Sequence, residues 1–263
     1  MIQPDFLEVG ASGPLVVLIH SGGSNARQWR RLMDDLEDRY RVRAVNLFGC
    51  GATPPWPEER MQSIAAQAHL VESAIPADAD RVFLVGHSIG GLIAMKLAAQ
   101  LGSRATKLVL LETNPFNLLQ QAGRDEAFAE VVALRDCVKI FGDRGEWEAA
   151  AERFFDYWMG AGSWQGMSGE RRAAFVRALK PNLHEWDAVM GETTSVEEWA
   201  TSLPPATLVV YDPGTVLPIR EIAAILRAAC PTWQYQEVPG AGHMAPLTRP
   251  DLINPIIRSF LDS

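Results

Sequence analysis

The chain has 263 residues, 48% of them apolar and 21% charged, which is enough to bury a core without disulfide or metal and too apolar for wholesale disorder. Against 24 basic side chains stand 32 acidic ones, a net charge of −8, so the basic footprint that nucleic-acid binding requires is missing. Cys50, Cys137 and Cys230 are far apart and follow no metal-ligand spacing, which argues against a metal site and fits a reducing compartment. The start, Met1-Ile2-Gln3-Pro4-Asp5, shows no basic segment leading into an apolar one, and no run approaches a membrane span. The expectation is a cytoplasmic protein that does not engage a membrane.

Short runs rich in Val, Leu and Ile alternate with stretches of helical period, the pattern of a mostly parallel sheet covered on both faces. Phe6–Val9 predicts an antiparallel edge strand and Leu15–His20 a buried one. Helix Gln28–Asp38, strand Val42–Leu47 and helix Glu59–Ala74 follow, then strand Val82–Val85, helix Gly90–Leu101 and strand Leu108–Leu111. Between about Pro115 and Leu203 the strands stop, and three or four amphipathic helices are predicted, among them Glu126–Ile140, Trp147–Trp158 and Gly169–Leu179. The alternation resumes with strand Thr207–Tyr211, helix Ile219–Ala229, strand Trp233–Val238 and helix Leu252–Leu261. This reads as a core of residues 1–114 and 204–263, interrupted by a helical cap over 115–203. Five of the eight tryptophans fall in the cap. Most should pack it onto the sheet, and some should line an apolar pocket, because ligand sites form at such junctions. Phe154, Trp158, Met159, Trp164 and Met167 are the candidate lining residues, and they suit an apolar acyl or aryl group.

Three segments carry chemistry. Gly86-His87-Ser88-Ile89-Gly90 is G-x-S-x-G between a buried strand and a helix, where a nucleophilic serine needs a tight, strained turn. Side chains at Gly86 and Gly90 would collide with the neighbouring strand and helix, and the helix N-terminus would face developing negative charge. His243, in Gly240-Ala241-Gly242-His243-Met244 after the last strand, is the candidate base for Ser88. The glycine-rich turn His20-Ser21-Gly22-Gly23 offers the amide of Gly22, which with that of Ile89 would hold an oxyanion. Of the other histidines, His69 and His184 read as surface, His87 as part of the turn packing, and His20 as structural.

With these motifs the sequence resembles the α/β-hydrolase superfamily over nearly its whole length. The family's H-G-x-G-like turn corresponds to His20-Ser21-Gly22-Gly23, with Ser21 in place of glycine. Its D-x-x-G-x-G-x-S segment corresponds to Asn46 through Thr53, with Asn46 where aspartate is usual, and its histidine corner to Gly240–Pro246. The resemblance implies an α/β fold with a mostly parallel eight-stranded sheet, helices on both faces, a helical lid inserted after the sixth strand, and no cofactor. It implies a small-molecule substrate and leaves the oligomeric state open. The leading function is hydrolysis of a carboxylic ester, thioester or lactone. Carbon–carbon bond hydrolysis of ring-fission-type diketones and a catalytically silent small-molecule receptor are the alternatives.

The acid that would orient His243 departs from the family's usual pattern, a carboxylate four residues before a proline in the turn after the seventh strand. Here Gly214 stands four before Pro218. Asp212 is close by, but it leaves the strand directly and precedes Pro213, which suits a turn cap. Glu112 ends the sixth strand of the implied sheet, where some members of the superfamily carry the acid. Glu112 is the favoured acid and Asp212 the alternative, while the other role open to Glu112 is a hinge residue bonding nearby amides.

Overall fold

Seven strands form one sheet in the computed structural model, which describes residues 2–57 and 59–263; Met1 and Glu58, both within the core segment 1–114, lie outside the described residues. They are β1 (Phe6–Val9), β2 (Leu15–Ile19), β3 (Arg41–Val45), β4 (Val82–His87), β5 (Ala105–Leu111), β6 (Thr207–Tyr211) and β7 (Gln234–Glu237), in the order β1-β3-β2-β4-β5-β6-β7. Among the described residues only β1 runs antiparallel, against β3, and every other pairing is parallel. All residues of β2 and β4 are buried, as expected where helices cover both faces.

The eighth strand implied by the resemblance is absent among the described residues. Among the described residues β1 stands at one end of the strand order and β7 at the other. Strand β7 is shorter than the predicted Trp233–Val238, and as an edge strand it is mostly exposed. Strand β5 begins at Ala105, earlier than predicted, because Ala105 and Lys107 pair with Val82 and Phe83 across a register shift.

In the first half of the chain, a 3₁₀ turn (Ala26–Trp29) leads into α1 (Arg30–Leu36), followed by α2 (Ile64–Glu72) and α3 (Ile89–Leu101). The predicted start of α2 at Glu59 moves to Ile64 because Ser63 caps it, its Oγ accepting from the Ala66 amide at 3.1 Å. Between β5 and β6 lie six helices rather than three or four: α4 (Asn117–Gln121), α5 (Asp125–Asp143), α6 (Trp147–Met159), α7 (Gly169–Leu179), α8 (Asn182–Met190) and α9 (Val196–Ser202). The extra ones are short. Pro181 sits at the start of α8, and Ser195 with Glu198 forms a capping box that starts α9. The insertion thus follows the fifth strand of this sheet. Helices α10 (Leu217–Ala229), α11 (Ala245–Thr248) and α12 (Pro250–Asp262) complete the chain.

Two apolar cores sandwich the sheet. One joins α2, α3, α10 and the inserted helices to the face bearing Leu15, Val17, Leu84 and Leu110. The other joins α1 and α12 to Val16, Leu18, Phe83, Val85 and Val109 on the opposite face. Alternate residues of each strand therefore point into different cores, which fixes the register. Among the described residues no helix is long and apolar enough to cross a membrane.

Candidate active site

Ser88 stands where β4 ends and α3 begins, with φ 55° and ψ −122°, a region that a non-glycine residue occupies only under strain. The backbone holds it there. The Ser88 amide donates to the Leu111 carbonyl at 2.9 Å, and its carbonyl accepts from Gly91 at 2.9 Å. The flanking glycines are obligatory on space alone: a Cβ on Gly86 would lie 2.2 Å from the Gly90 carbonyl oxygen, and one on Gly90 would lie 2.3 Å from that of Ile19.

The turn after β2 comes up against this one. Gly22, Ser88 and Ile89 line the same small cavity, whose free volume is about 20 Å³. Neither the Gly22 nor the Ile89 amide donates a hydrogen bond among the described residues, so both N–H groups remain available to an incoming oxygen. His20 holds this turn in place, its Nδ1 donating to the Ser21 carbonyl at 2.8 Å and its Nε2 accepting from the Leu47 amide at 3.1 Å. Burial keeps it neutral, pushing its pKa down to about 4.

His243 is buried in the loop after β7, and its Nδ1 lies 3.1 Å from Glu112 Oε2. Glu112 has a positive φ of 48° at the end of β5. Its Oε1 accepts from the Asp212 amide at 2.7 Å and its Oε2 from the Thr215 hydroxyl at 2.6 Å. Among the described residues no hydrogen bond or ion pair joins the Asp212 carboxylate to the His243 ring. Asp212 clamps the glycine loops, Oδ1 accepting from Gly214 at 2.8 Å and Gly240 at 3.1 Å, and Oδ2 from Gly242 at 2.7 Å. The carboxylate that touches the histidine is therefore that of Glu112, and Asp212 acts as a backbone clamp.

His87 ties the histidine loop to the serine turn. Its Nε2 donates to the His243 carbonyl at 2.8 Å, and its Nδ1 accepts from Gln28 Nε2 at 3.1 Å. Complete burial holds the ring well below the usual histidine range, so it serves as a neutral strut. Among the described residues no hydrogen bond joins Ser88 Oγ to His243. Trp158 lines the same cavity as Ser88 and stacks on the His243 ring with centroids 3.8 Å apart and planes 24° from parallel.

On the other side of Phe154 and Trp158 opens a larger chamber of about 310 Å³, with an almost wholly apolar lining. Of the residues expected to line a pocket, Phe154, Trp158, Met159 and Met167 do so. Trp164 does not. It is fully buried within the insertion, its ring edge-on to Phe155 and Phe175. Sequence reasoning missed Phe155, Phe175, Met244 and Leu247 in the chamber, and Asn114, Asn182, Glu185 and Trp186 in the small cavity. One signal was available: Asn182, Glu185, Trp186 and Val189 fall at i, i+3, i+4 and i+7, which puts a carboxylate on the buried stripe of a helix.

Comparison with protein families matches residues 16–256 to the alpha/beta hydrolase family. The chain belongs to the alpha/beta hydrolase family. Among curated proteins this hydrolase is 26% identical to the esterase Rv0045c of Mycobacterium tuberculosis, over 98% of this chain and 86% of that one. Its fold is similar to that of an enol-lactonase from Burkholderia xenovorans LB400, with a TM-score of 0.74, 19% identity, and coverage of 99% and 96% of the two chains. A meta-cleavage product hydrolase superposes with a TM-score of 0.69 at 20% identity, covering 98% and 94%.

Proposed function

We propose that this alpha/beta hydrolase is a serine hydrolase that opens a carboxylic ester, thioester or lactone of a small molecule with an apolar part. The observation that carries the reading is the buried hydrogen bond between His243 Nδ1 and Glu112 Oε2, on a histidine loop strapped to the Ser88 turn by His87. With Nδ1 donating to the carboxylate, Nε2 is the nitrogen left to act as base. Ser88 Oγ attacks the carbonyl carbon as its proton passes to His243 Nε2. The carbonyl oxygen becomes an oxyanion held by the Gly22 and Ile89 amides, and Glu112 stabilises the imidazolium. Collapse breaks the bond to the leaving oxygen or sulfur, which takes the proton from His243. Water then repeats the sequence on the acyl-enzyme, and Ser88 is regenerated. The insertion acts as a lid: its α6 supplies the Trp158 and Phe154 wall and, with α7, the apolar chamber.

The relatives named esterase and enol-lactonase support this chemistry. The fold likeness to a meta-cleavage product hydrolase keeps carbon–carbon bond hydrolysis as the second reading. A fluorophosphonate probe should label the wild-type protein and not Ser88→Ala. A panel of aryl esters, lactones and ring-fission diketones then sorts the reaction types. Folded wild-type protein that escapes labelling would point to a small-molecule receptor instead.

A further inference from the structure

The two cavities that meet at Phe154 and Trp158 differ in character. The outer chamber is apolar, whereas the inner cavity is lined by apolar and polar residues together, several of which carry buried polar atoms without a protein partner. Glu185 is the most telling of these. It is 1% exposed, its Oε2 accepts from Asn182 Nδ2 at 2.8 Å, and its Oε1 accepts from no group among the described residues. Asn182 Oδ1, Asn114 Oδ1 and the indole N–H groups of Trp158 and Trp186 are likewise unpartnered, and all four residues line the cavity. The position is next to the reacting centre, because a Cβ on Gly22 would lie 2.9 Å from both Glu185 Oε2 and Asn182 Nδ2. Burial pushes the Glu185 carboxyl up to about 7, against the lowering hydrogen bond from Asn182. A leucine here would pack without that desolvation cost, so packing alone does not account for an acid at this place.

We infer that Glu185 is a specificity-determining residue, and that the inner cavity receives a hydroxyl on the short arm of the substrate, beside the scissile carbonyl, while the bulky apolar arm fills the outer chamber. The inference rests on the serine hydrolase reading. A free volume of about 20 Å³ admits one small group, roughly the size of a water molecule. A hydroxyl is the smallest substituent that donates to Glu185 or an asparagine oxygen and also accepts from an indole N–H. A methyl group would leave every one of these groups unpaired. An ammonium would offer nothing to the indoles, and an anionic substituent would face the carboxyl.

The test uses 2-naphthyl glycolate and 2-naphthyl propionate, which differ by a hydroxyl in place of a methyl group. For each enzyme the ratio of kcat/KM values is read after dividing each ester's value by its rate of alkaline hydrolysis. Wild type should favour the glycolate by about tenfold or more, the range expected when buried polar groups are left unpaired. Glu185→Gln keeps an acceptor and should retain most of that preference, whereas Glu185→Leu should lower it at least tenfold. A wild-type ratio near one, or one unchanged in Glu185→Leu, overturns the inference. Binding to Ser88→Ala, followed by tryptophan fluorescence, separates the two readings and covers a leucine variant that does not fold. Tighter binding of the glycolate without turnover of either ester by wild type would sink the hydrolase reading and the substrate assignment with it, leaving only a hydroxyl-binding pocket beside Glu185. Equal affinities would sink the inference whatever the turnover.

Discussion

Replacing Glu112 by glutamine tests the site most directly, because the structure dictates what a carboxamide can and cannot do there. The carboxylate accepts from the Asp212 amide on Oε1 and from the Thr215 hydroxyl and His243 Nδ1 on Oε2. A glutamine has one acceptor oxygen. If that oxygen takes the Oε2 place, its NH₂ confronts the Asp212 N–H, a buried donor–donor contact costing roughly 1–3 kcal/mol. If it takes the Oε1 place, the NH₂ faces His243 Nδ1 and moves the ring proton to Nε2, where the histidine cannot accept from Ser88. Either way the imidazolium loses its counter-charge. In serine proteases the equivalent change costs about 10⁴ in turnover, or roughly 5 kcal/mol of transition-state stabilisation. Burst and steady-state hydrolysis of a nitrophenyl ester, with a thermal melt on the same preparation, separates catalysis from folding. Glu112→Gln should lose most of its kcat and little of its melting temperature. Asp212→Asn should do the opposite, losing less than about tenfold in kcat while destabilising the glycine loops by roughly 1–3 kcal/mol. A larger kcat loss in Asp212→Asn than in Glu112→Gln would refute the assignment, and two mild effects would mean that His243 works without either carboxylate.

Further outcomes follow from the same geometry. The positive φ of Ser88 stores roughly 1–3 kcal/mol of strain, so Ser88→Gly should melt about 2–4 °C above Ser88→Ala despite glycine's entropic cost; equal melting temperatures would mean an unstrained turn. Trp158→Ala removes half-buried packing and the wall between the cavities, so kinetics on esters of graded size should show a changed preference with a small shift in melting temperature. A large stability loss with unchanged preference would make Trp158 merely packing. His20, lowered by burial from 6.5 to about 4, contributes stability that is full above its unfolded value and is lost as pH falls, on the order of 3 kcal/mol in total. Glu185, raised by burial from 4.5 to about 7, acts in the opposite sense, its contribution full in acid and lost as pH rises through about 7. Urea midpoints between about pH 5 and 7 should therefore rise more steeply with pH in Glu185→Gln than in wild type, and less steeply in His20→Gln; parallel profiles in all three would refute both signs.

The β–α alternation was legible because each strand buried on both faces is a run of branched aliphatics, as in Leu15–Ile19, and because Gly86 and Gly90 have a steric reason to be where they are. The pairing of Glu112 with His243 was partly legible, since the usual position holds Gly214 and so narrowed the choice to two carboxylates. What decided between them is spatial: the Asp212 side chain turns back onto three glycine-loop amides, which sequence spacing does not encode. The insertion was the least legible region. Amphipathic period identifies its helices, but not which aromatic faces the chamber. Trp158 and Trp164 are six positions apart with similar flanks, yet one stacks on His243 and the other is enclosed by Phe155 and Phe175.

The contacts that join the site are remote in sequence: 131 residues separate Glu112 from His243, and 156 separate His87 from the carbonyl that it holds. Six helices intervene between β5 and β6, whose pairing brings Glu112 up to Asp212. Loop-closure entropy opposes such contacts until the segments between them have condensed. During refolding, helical content and the β2–β5 pairings, which close shorter loops, should therefore be regained before Glu112 and His243 meet. Recovery of the histidine–carboxylate pair is expected to be a late event, following formation of the serine turn.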